Sequence, residues 1–166
     1  MKKTPPQTNN ETYKKLGFTY LETAEIVVAL KELIANYTIH YYKLRNFHWN
    51  VEGSDFFELH NAFEKEYEMV TENIDILAER ILVFGIKPNL SLNEIMEMSE
   101  IKETAKDLSP INMVKELLKD YDILHNAMLN VVTAAQNTGD NVTEHIITNF
   151  MQVLEKRNWM FTSFIK

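Results

Sequence analysis

Apolar positions recur along this chain at steps of three and four residues. Ile26, Leu30, Leu33, Tyr37, Tyr41, Leu44 and His48 form one series, and Phe56, His60, Phe63, Tyr67, Val70, Ile74, Leu77 and Ile81 form a second. Near the C-terminus, Ile146, Phe150, Val153, Leu154 and Phe161 make a broader apolar face. This period places each series along one side of an α-helix, without the alternation of a half-buried strand. Gly17, Gly53, Gly85 and Gly139 divide the chain, leaving Phe18–Glu52, Ser54–Phe84, Ile111–Thr138 and Asp140–Lys166 as uninterrupted blocks. Each block is long enough for several helical turns.

Start signals agree with this division. Thr19 with Glu22, Asp55 with Glu58, and Asn141 with Glu144 each set a capping residue three positions before a glutamate. Ser109-Pro110 predicts an N-cap followed by proline in the first helical position. Two connections are short, while the one between Gly85 and Ser109 is long and carries a candidate short helix at Leu92–Met98. The prediction is an all-α fold: a four-helix bundle over residues 18–166, with a short helix in the long crossover between the second and third helices. Residues 1–17, which include Pro5-Pro6, are expected to form a flexible N-terminal tail.

Composition narrows the chemistry. Hydrophobic residues make up 45% of the 166 residues, enough for a single domain with a core of its own. No apolar run approaches a membrane span and no signal-peptide segment is evident, so the expected location is cytoplasmic. The chain has no cysteine, which excludes disulfides, thiolate metal sites and a cysteine nucleophile. Any metal must then sit among imidazoles and carboxylates, ligands that suit iron, zinc or manganese. A net charge of -7 argues against a generally basic nucleic-acid-binding body. Gly-rich phosphate loops and hydrolase triads are not evident.

The candidate ligands are His48, His60, Glu64, Asp75 and Glu79. If Gly53 turns the chain back, His48 and His60 lie at similar height on antiparallel helices. His60 and Glu64 are four apart, as are Asp75 and Glu79, so each pair shares a helix face. Eleven residues separate Glu64 from Asp75, which at about 100° each returns within roughly 20° of the same face. The same eleven residues rise about 16 Å along the axis, whereas a metal ligand must sit about 2 Å from its ion. One chain therefore cannot close a site with both pairs. An antiparallel two-fold partner resolves this by bringing the histidine end of one helix to the Asp75/Glu79 end of its mate, generating two equivalent sites. The competing structural account makes the histidines core residues and the carboxylates a solvated flank paired with Lys65 or Arg80. Asp122 and His125 have i, i+3 spacing but no matching pair elsewhere, which favours a surface interaction.

Three motifs carry a resemblance to a known family. His48-Trp49-Asn50-Val51-Glu52-Gly53 is followed by Phe56-Phe57-Glu58-Leu59-His60-Asn61-Ala62-Phe63-Glu64, then by Asp75-Ile76-Leu77-Ala78-Glu79-Arg80 with Gly85 beyond. These resemble the Dps proteins, the mini-ferritins, most specifically over residues 44–88. Leu154-Glu155-Lys156 with Trp159-Met160 is similar to that family's last helix. The resemblance implies a ferritin-like bundle assembled as a hollow homo-dodecamer with ferroxidase centres at two-fold interfaces. One subunit would supply His48, His60 and Glu64, and its neighbour Asp75 and Glu79. It further implies that Fe(2+) is oxidised to Fe(3+), preferentially by hydrogen peroxide, and stored as mineral. Removing both reactants of hydroxyl-radical chemistry would protect DNA and protein. Trp49 then reads either as interface packing or as an electron relay beside the centre. Asp140 and Glu144 read either as lining of an acidic pore or as helix caps. DNA binding would fall to Lys2, Lys3, Lys14 and Lys15 in the tail, opposed by the acidic body, and is not the favoured expectation. A nucleoid-compacting protein and a metal-free structural bundle are the competing classes.

Overall fold

The computed structural model describes residues 17–18, 20–104 and 106–166, without the side chains of residues 20–22. The expected tail, apart from Gly17, and the Thr19–Glu22 box lie outside these residues. Five helices follow in order: α1 (Tyr20–Asn50), α2 (Phe56–Val83), α3 (Leu92–Met98), α4 (Pro110–Thr138) and α5 (Asn141–Phe164). α1, α2, α4 and α5 form the bundle, and α3 packs on α1 within the crossover. The four long helices and the short one occupy the predicted blocks.

Helix ends show where local chemistry acts. Ser109 caps α4 by accepting from Asn112 N, with Pro110 in the first turn, as the Ser-Pro pair predicts. Gly139 ends α4 in the left-handed conformation (φ 69°) that a side chain would disfavour. α3 begins with a full capping box between Ser91 and Glu94. Two expected boxes are not formed. Asp55 occupies the N-cap of α2 but makes no side-chain cap bond, its carboxylate instead accepting from Ser54 Oγ at 3.2 Å. The cap of α5 is Asp140 rather than Asn141, and it accepts from Thr143 N at 3.1 Å. Arg80 explains the choice: its Nη2 donates to Asp140 Oδ1 at 2.7 Å and its Nε to Thr143 Oγ1 at 2.7 Å, so α2 and the α4–α5 turn fix one another.

The core is built from Leu30, Leu33 and Leu44 of α1, Phe63, Leu77 and Ile81 of α2, Leu117, Leu124 and Met128 of α4, and Ile147 of α5. Val153, expected on the apolar face of α5, is 43% exposed. The buried stripe of α2 also admits residues that hydropathy would place outside: Glu66, Asn73 and Arg80. Glu66 is 1% exposed and accepts from Tyr121 Oη of α4 at 2.6 Å and from Arg157 Nε of α5. Beside it, Asp120 of α4 accepts from His40 Nδ1 at 2.9 Å and from Lys43 Nζ at 2.6 Å, both on α1. These pairs set direction as well as register. Glu66 near the middle of α2 meets Arg157 late in α5, and Arg80 late in α2 meets Asp140 before α5, so α2 and α5 are antiparallel. The short α4–α5 turn then makes α2 and α4 parallel, which is why their connection must travel the length of the bundle.

That crossover is pinned to α1 by a buried side chain, beside the buried Ile95 and Ile101. Asn36 Oδ1 on α1 accepts from Ser99 Oγ at 3.2 Å, Glu100 N at 2.9 Å and Ile101 N at 3.1 Å, while its Nδ2 donates to Glu32 O at 3.1 Å. Removing that acceptor buries donors without partners, at about 1–3 kcal/mol each before relaxation. Asn36→Ala is expected to lower stability by about 2–3 kcal/mol, and to raise amide exchange at residues 99–101 more than in α2; equal protection throughout would disprove this anchor.

Asp140 supplies a pH test. Burial alone would raise its carboxyl, but the hydrogen bonds from Arg80 and from the side chain and backbone of Thr143 outweigh it, holding the group below its ordinary value. A depressed folded-state value means stability that is present above the unfolded value, about 3.9, and lost as pH falls through the lower folded one. Asp140→Asn strands a buried guanidinium and is expected to cost about 3 kcal/mol at pH 7. Urea denaturation of both proteins should show this gap narrowing below about pH 4; a gap independent of pH would contradict the pairing.

Candidate metal centre

The α1–α2 turn brings His48 and His60 together by satisfying backbone that has no helical partner. The last four carbonyls of a helix lack intrahelical donors, and that of His48, two residues from the end of α1, accepts from His60 Nδ1 at 2.8 Å. In return, His48 Nδ1 donates to the His60 carbonyl at 2.9 Å. The two rings stack with centroids 3.7 Å apart and 23° between planes. Phe56 continues the stack on His60 at 5.0 Å, and Tyr67 presents its edge geometry to His48 at 5.4 Å. Gly53 (φ 99°) provides the reversal that lets the ends meet.

This exchange has a direct chemical consequence. A carbonyl oxygen only accepts, so both Nδ1 atoms carry the proton, and in the neutral rings the lone pairs lie on both Nε2 atoms. Fixing the tautomer through a hydrogen bond to the second ring nitrogen is how proteins prepare imidazoles for metals. Glu64 stands one turn beyond His60, half-buried, and its Oε1 accepts from Tyr67 Oη at 3.2 Å. For Tyr67, burial, then the hydrogen bond to Glu64, push the phenol up from its usual value, so it stays a donor.

Asp75 and Glu79 are exposed further along α2, with no ion pair or side-chain hydrogen bond among the described residues. Arg80, one suggested salt-bridge partner, turns inward to Asp140 instead. Among the described residues, no group of three or more histidine, aspartate or glutamate side chains gathers closely enough to hold an ion. The structure thus brings His48 and His60 together, puts Glu64 nearby, and leaves Asp75 and Glu79 as a separate carboxylate pair.

Other candidates find different employment. Asp140 is 1% exposed and performs the capping alternative. Glu144 is half-buried and accepts from Gln136 Nε2 at 2.8 Å across the α4–α5 turn. His125 lies 3.5 Å from Glu155, a surface pair between α4 and α5 in which Asp122 takes no part. Trp49 is 54% exposed, with the Arg45 guanidinium 5.0 Å from its ring centre and 4.8 Å from that of Tyr67. Arg45 Nη1 also donates to Tyr41 Oη at 3.1 Å. Sequence reasoning did not identify Arg45 and Tyr67 as this bridge. The available signal was the i, i+4 spacing of Arg45 with Tyr41 and Trp49, and the i, i+3 spacing of Tyr67 with Glu64.

Among the described residues no helix is long and apolar enough to cross a membrane. The Ferritin-like domain family matches residues 27–166. "DNA protection during starvation protein 2" of Bacillus anthracis is 35% identical over 141 residues, covering 85% of this chain and 97% of that protein. The Dps of Staphylococcus aureus shares 40% identity and a TM-score of 0.83, covering 86% of this chain and 96% of its own. That of Vibrio cholerae O1 reaches a TM-score of 0.90 at 30% identity, covering 96% of this chain and 100% of its own, and is described as one of the ferritin-like diiron-carboxylate proteins. Helix order, bundle topology and these similarities together make the chain a member of the ferritin-like Dps family.

Proposed function

We propose that the protein is a ferroxidase and iron-storage mini-ferritin, acting at a centre completed by a second copy of the chain. The observation that carries this is the reciprocal His48–His60 lock, which leaves two oriented Nε2 lone pairs one helical turn from Glu64 in the sequence of α2. Asp75 and Glu79 of a two-fold partner would supply the missing oxygen ligands. The α1–α2 hairpin fits such a partner, since Tyr42 and Trp49 on α1 and Ile76 and Leu82 on α2, the latter two flanking Asp75 and Glu79 in sequence, are exposed apolar residues.

The iron is substrate and cargo. Two ferrous ions each give one electron to hydrogen peroxide; its O–O bond breaks, and two protons complete two waters. Three carboxylates favour the more highly charged ferric product, while the imidazoles complete its coordination sphere without adding charge. Ferric hydrolysis then feeds a mineral inside a hollow dodecamer. Consuming ferrous iron and peroxide together would protect DNA and protein in the cytoplasm; the names of several relatives give those proteins a role in DNA protection during starvation.

Complementation tests the shared centre. His60→Ala and Asp75→Ala are each expected to abolish rapid peroxide-dependent iron oxidation. Co-expressed in equal amounts, they form mixed dimers in half of all pairings, with one of two centres intact, restoring about one quarter of the wild-type rate. Two inactive variants that do not rescue one another would show that each chain builds its own site.

Direct DNA binding is outside this proposal. The tail lysines Lys2, Lys3, Lys14 and Lys15 belong to a chain whose net charge is -7 even with them included. Full-length protein is expected to leave duplex DNA unretarded at physiological ionic strength; retardation that disappears on deleting residues 1–16 would assign DNA binding to the tail.

A further inference from the structure

The centre of the bundle contains a second cluster of metal-ligand residue types, remote in role from the His48–His60 pair. Tyr37 and His40 of α1, Glu66 and Asn73 of α2, and Tyr121 of α4 line a cavity of about 10 Å³. His40 is 1% exposed, and its Nε2 is buried without a hydrogen-bond partner. Its Nδ1 faces the Asp120 carboxylate at 2.9 Å. In the neutral ring this places the proton on Nδ1 and the lone pair on Nε2. Tyr37 Oη accepts from Asn73 Nδ2 at 3.3 Å, which leaves its own O–H proton available to donate. The cavity therefore has an acceptor and a donor on adjacent turns of α1.

Charge and ligand engagement decide what fits between them. Lys43 offsets Asp120, and Arg157 offsets Glu66, so the layer is electroneutral with His40 neutral. Both Glu66 oxygens are already occupied, one by Tyr121 and one by Arg157. A divalent cation would find only neutral unengaged ligands, His40 Nε2 and the Asn73 amide oxygen, and its own charge uncompensated, a combination that a buried site does not tolerate. A neutral molecule meets neither penalty. The volume is about that of one water-sized sphere.

We propose that this cavity is a binding site for one structural water, which donates to His40 Nε2 and accepts from Tyr37 O–H. The bundle centre is thereby a closed, neutral polar layer and not a second iron site, even though histidine and carboxylate side chains on facing helices are the materials from which bundles build metal centres. This assignment does not depend on the ferroxidase proposal.

Crystals of the full-length protein, grown without metal and refined to about 1.5 Å, test it directly. One spherical density peak is expected about 2.7–3.2 Å from both His40 Nε2 and Tyr37 Oη. Soaking with ferrous iron or zinc should add no anomalous signal there. Tyr37→Phe, which removes the donor while retaining the ring, should abolish or displace the peak. As a second measurement, ¹⁵N spectra of histidine-labelled wild-type protein should show His40 protonated on Nδ1, with Nε2 accepting a hydrogen bond. Featureless density in the wild type, an anomalous peak beside His40, an undisturbed peak in Tyr37→Phe, or His40 protonated on Nε2 would each overturn the assignment.

Discussion

Burying the Glu66 carboxylate constrains the bundle more than any single apolar contact. A carboxylate at 1% exposure must be paired and hydrogen-bonded, or it would be protonated or expelled. Its partners come from two other helices, Tyr121 of α4 and Arg157 of α5, and both are far away in sequence. Sliding α2 by one turn relative to either helix would strand a charge, whereas sliding one leucine past another costs far less. Burial, then the negative charge of Glu66, pushes the Tyr121 phenol well above its usual value, so it donates throughout the physiological range. Apolar residues supply the driving force for packing; this polar contact selects which packing is reached.

With α2 registered at its middle, its two ends are placed as well. At the start, the His60 ring meets the unpaired carbonyl of His48; at the end, Arg80 reaches Asp140 and Thr143. The first contact satisfies the C-terminus of α1 directly, and the second orients the Asp140 carboxylate that caps the N-terminus of α5. The outward side of α2 consequently presents its carboxylates from a rigid element. Rigidity matters because a metal centre shared between chains tolerates little error in ligand position. It also preserves the separation of about 16 Å between Glu64 and Asp75 that keeps one chain from completing a site.

Much of this was legible in the sequence, and the exceptions have a common physical origin. Pro110–Thr138 follows from Ser-Pro capping and the glycine that ends the block, both local signals. Asp140, not Asn141, caps α5 because Arg80 arrives from sixty residues away, and local capping preference cannot distinguish two adjacent competent residues. Glu66 and Asn73 lie on the buried stripe of α2 itself, but their polarity leads a hydropathy reading to assign them to solvent. The pairing of His48 with His60 was readable from the turn at Gly53. The exchange of carbonyl bonds was not, because it depends on the backbone of one helix end facing a side chain of the next. The Arg45 contacts with Trp49 and Tyr67 likewise need the interhelical angle.

Charge explains why a centre of the proposed composition would pass iron onward. Glu64, Asp75 and Glu79 bring three negative charges, while the locked imidazoles are most useful as ligands when neutral. Two ferrous ions exceed this by one positive charge, a modest imbalance that water can screen at an exposed face. Oxidation raises the excess to three. The buried carboxylates Glu66, Asp120 and Asp140 are held in ion pairs and cannot meet it, and the other exposed acids of α2 lie outside the proposed ligand set. Anions must then come from solvent as hydroxide or oxide, with release of protons. Such a product is a mineral precursor and a poor permanent occupant. The division between exposed carboxylates without partners and buried ones with partners would thus separate iron turnover from structural stability.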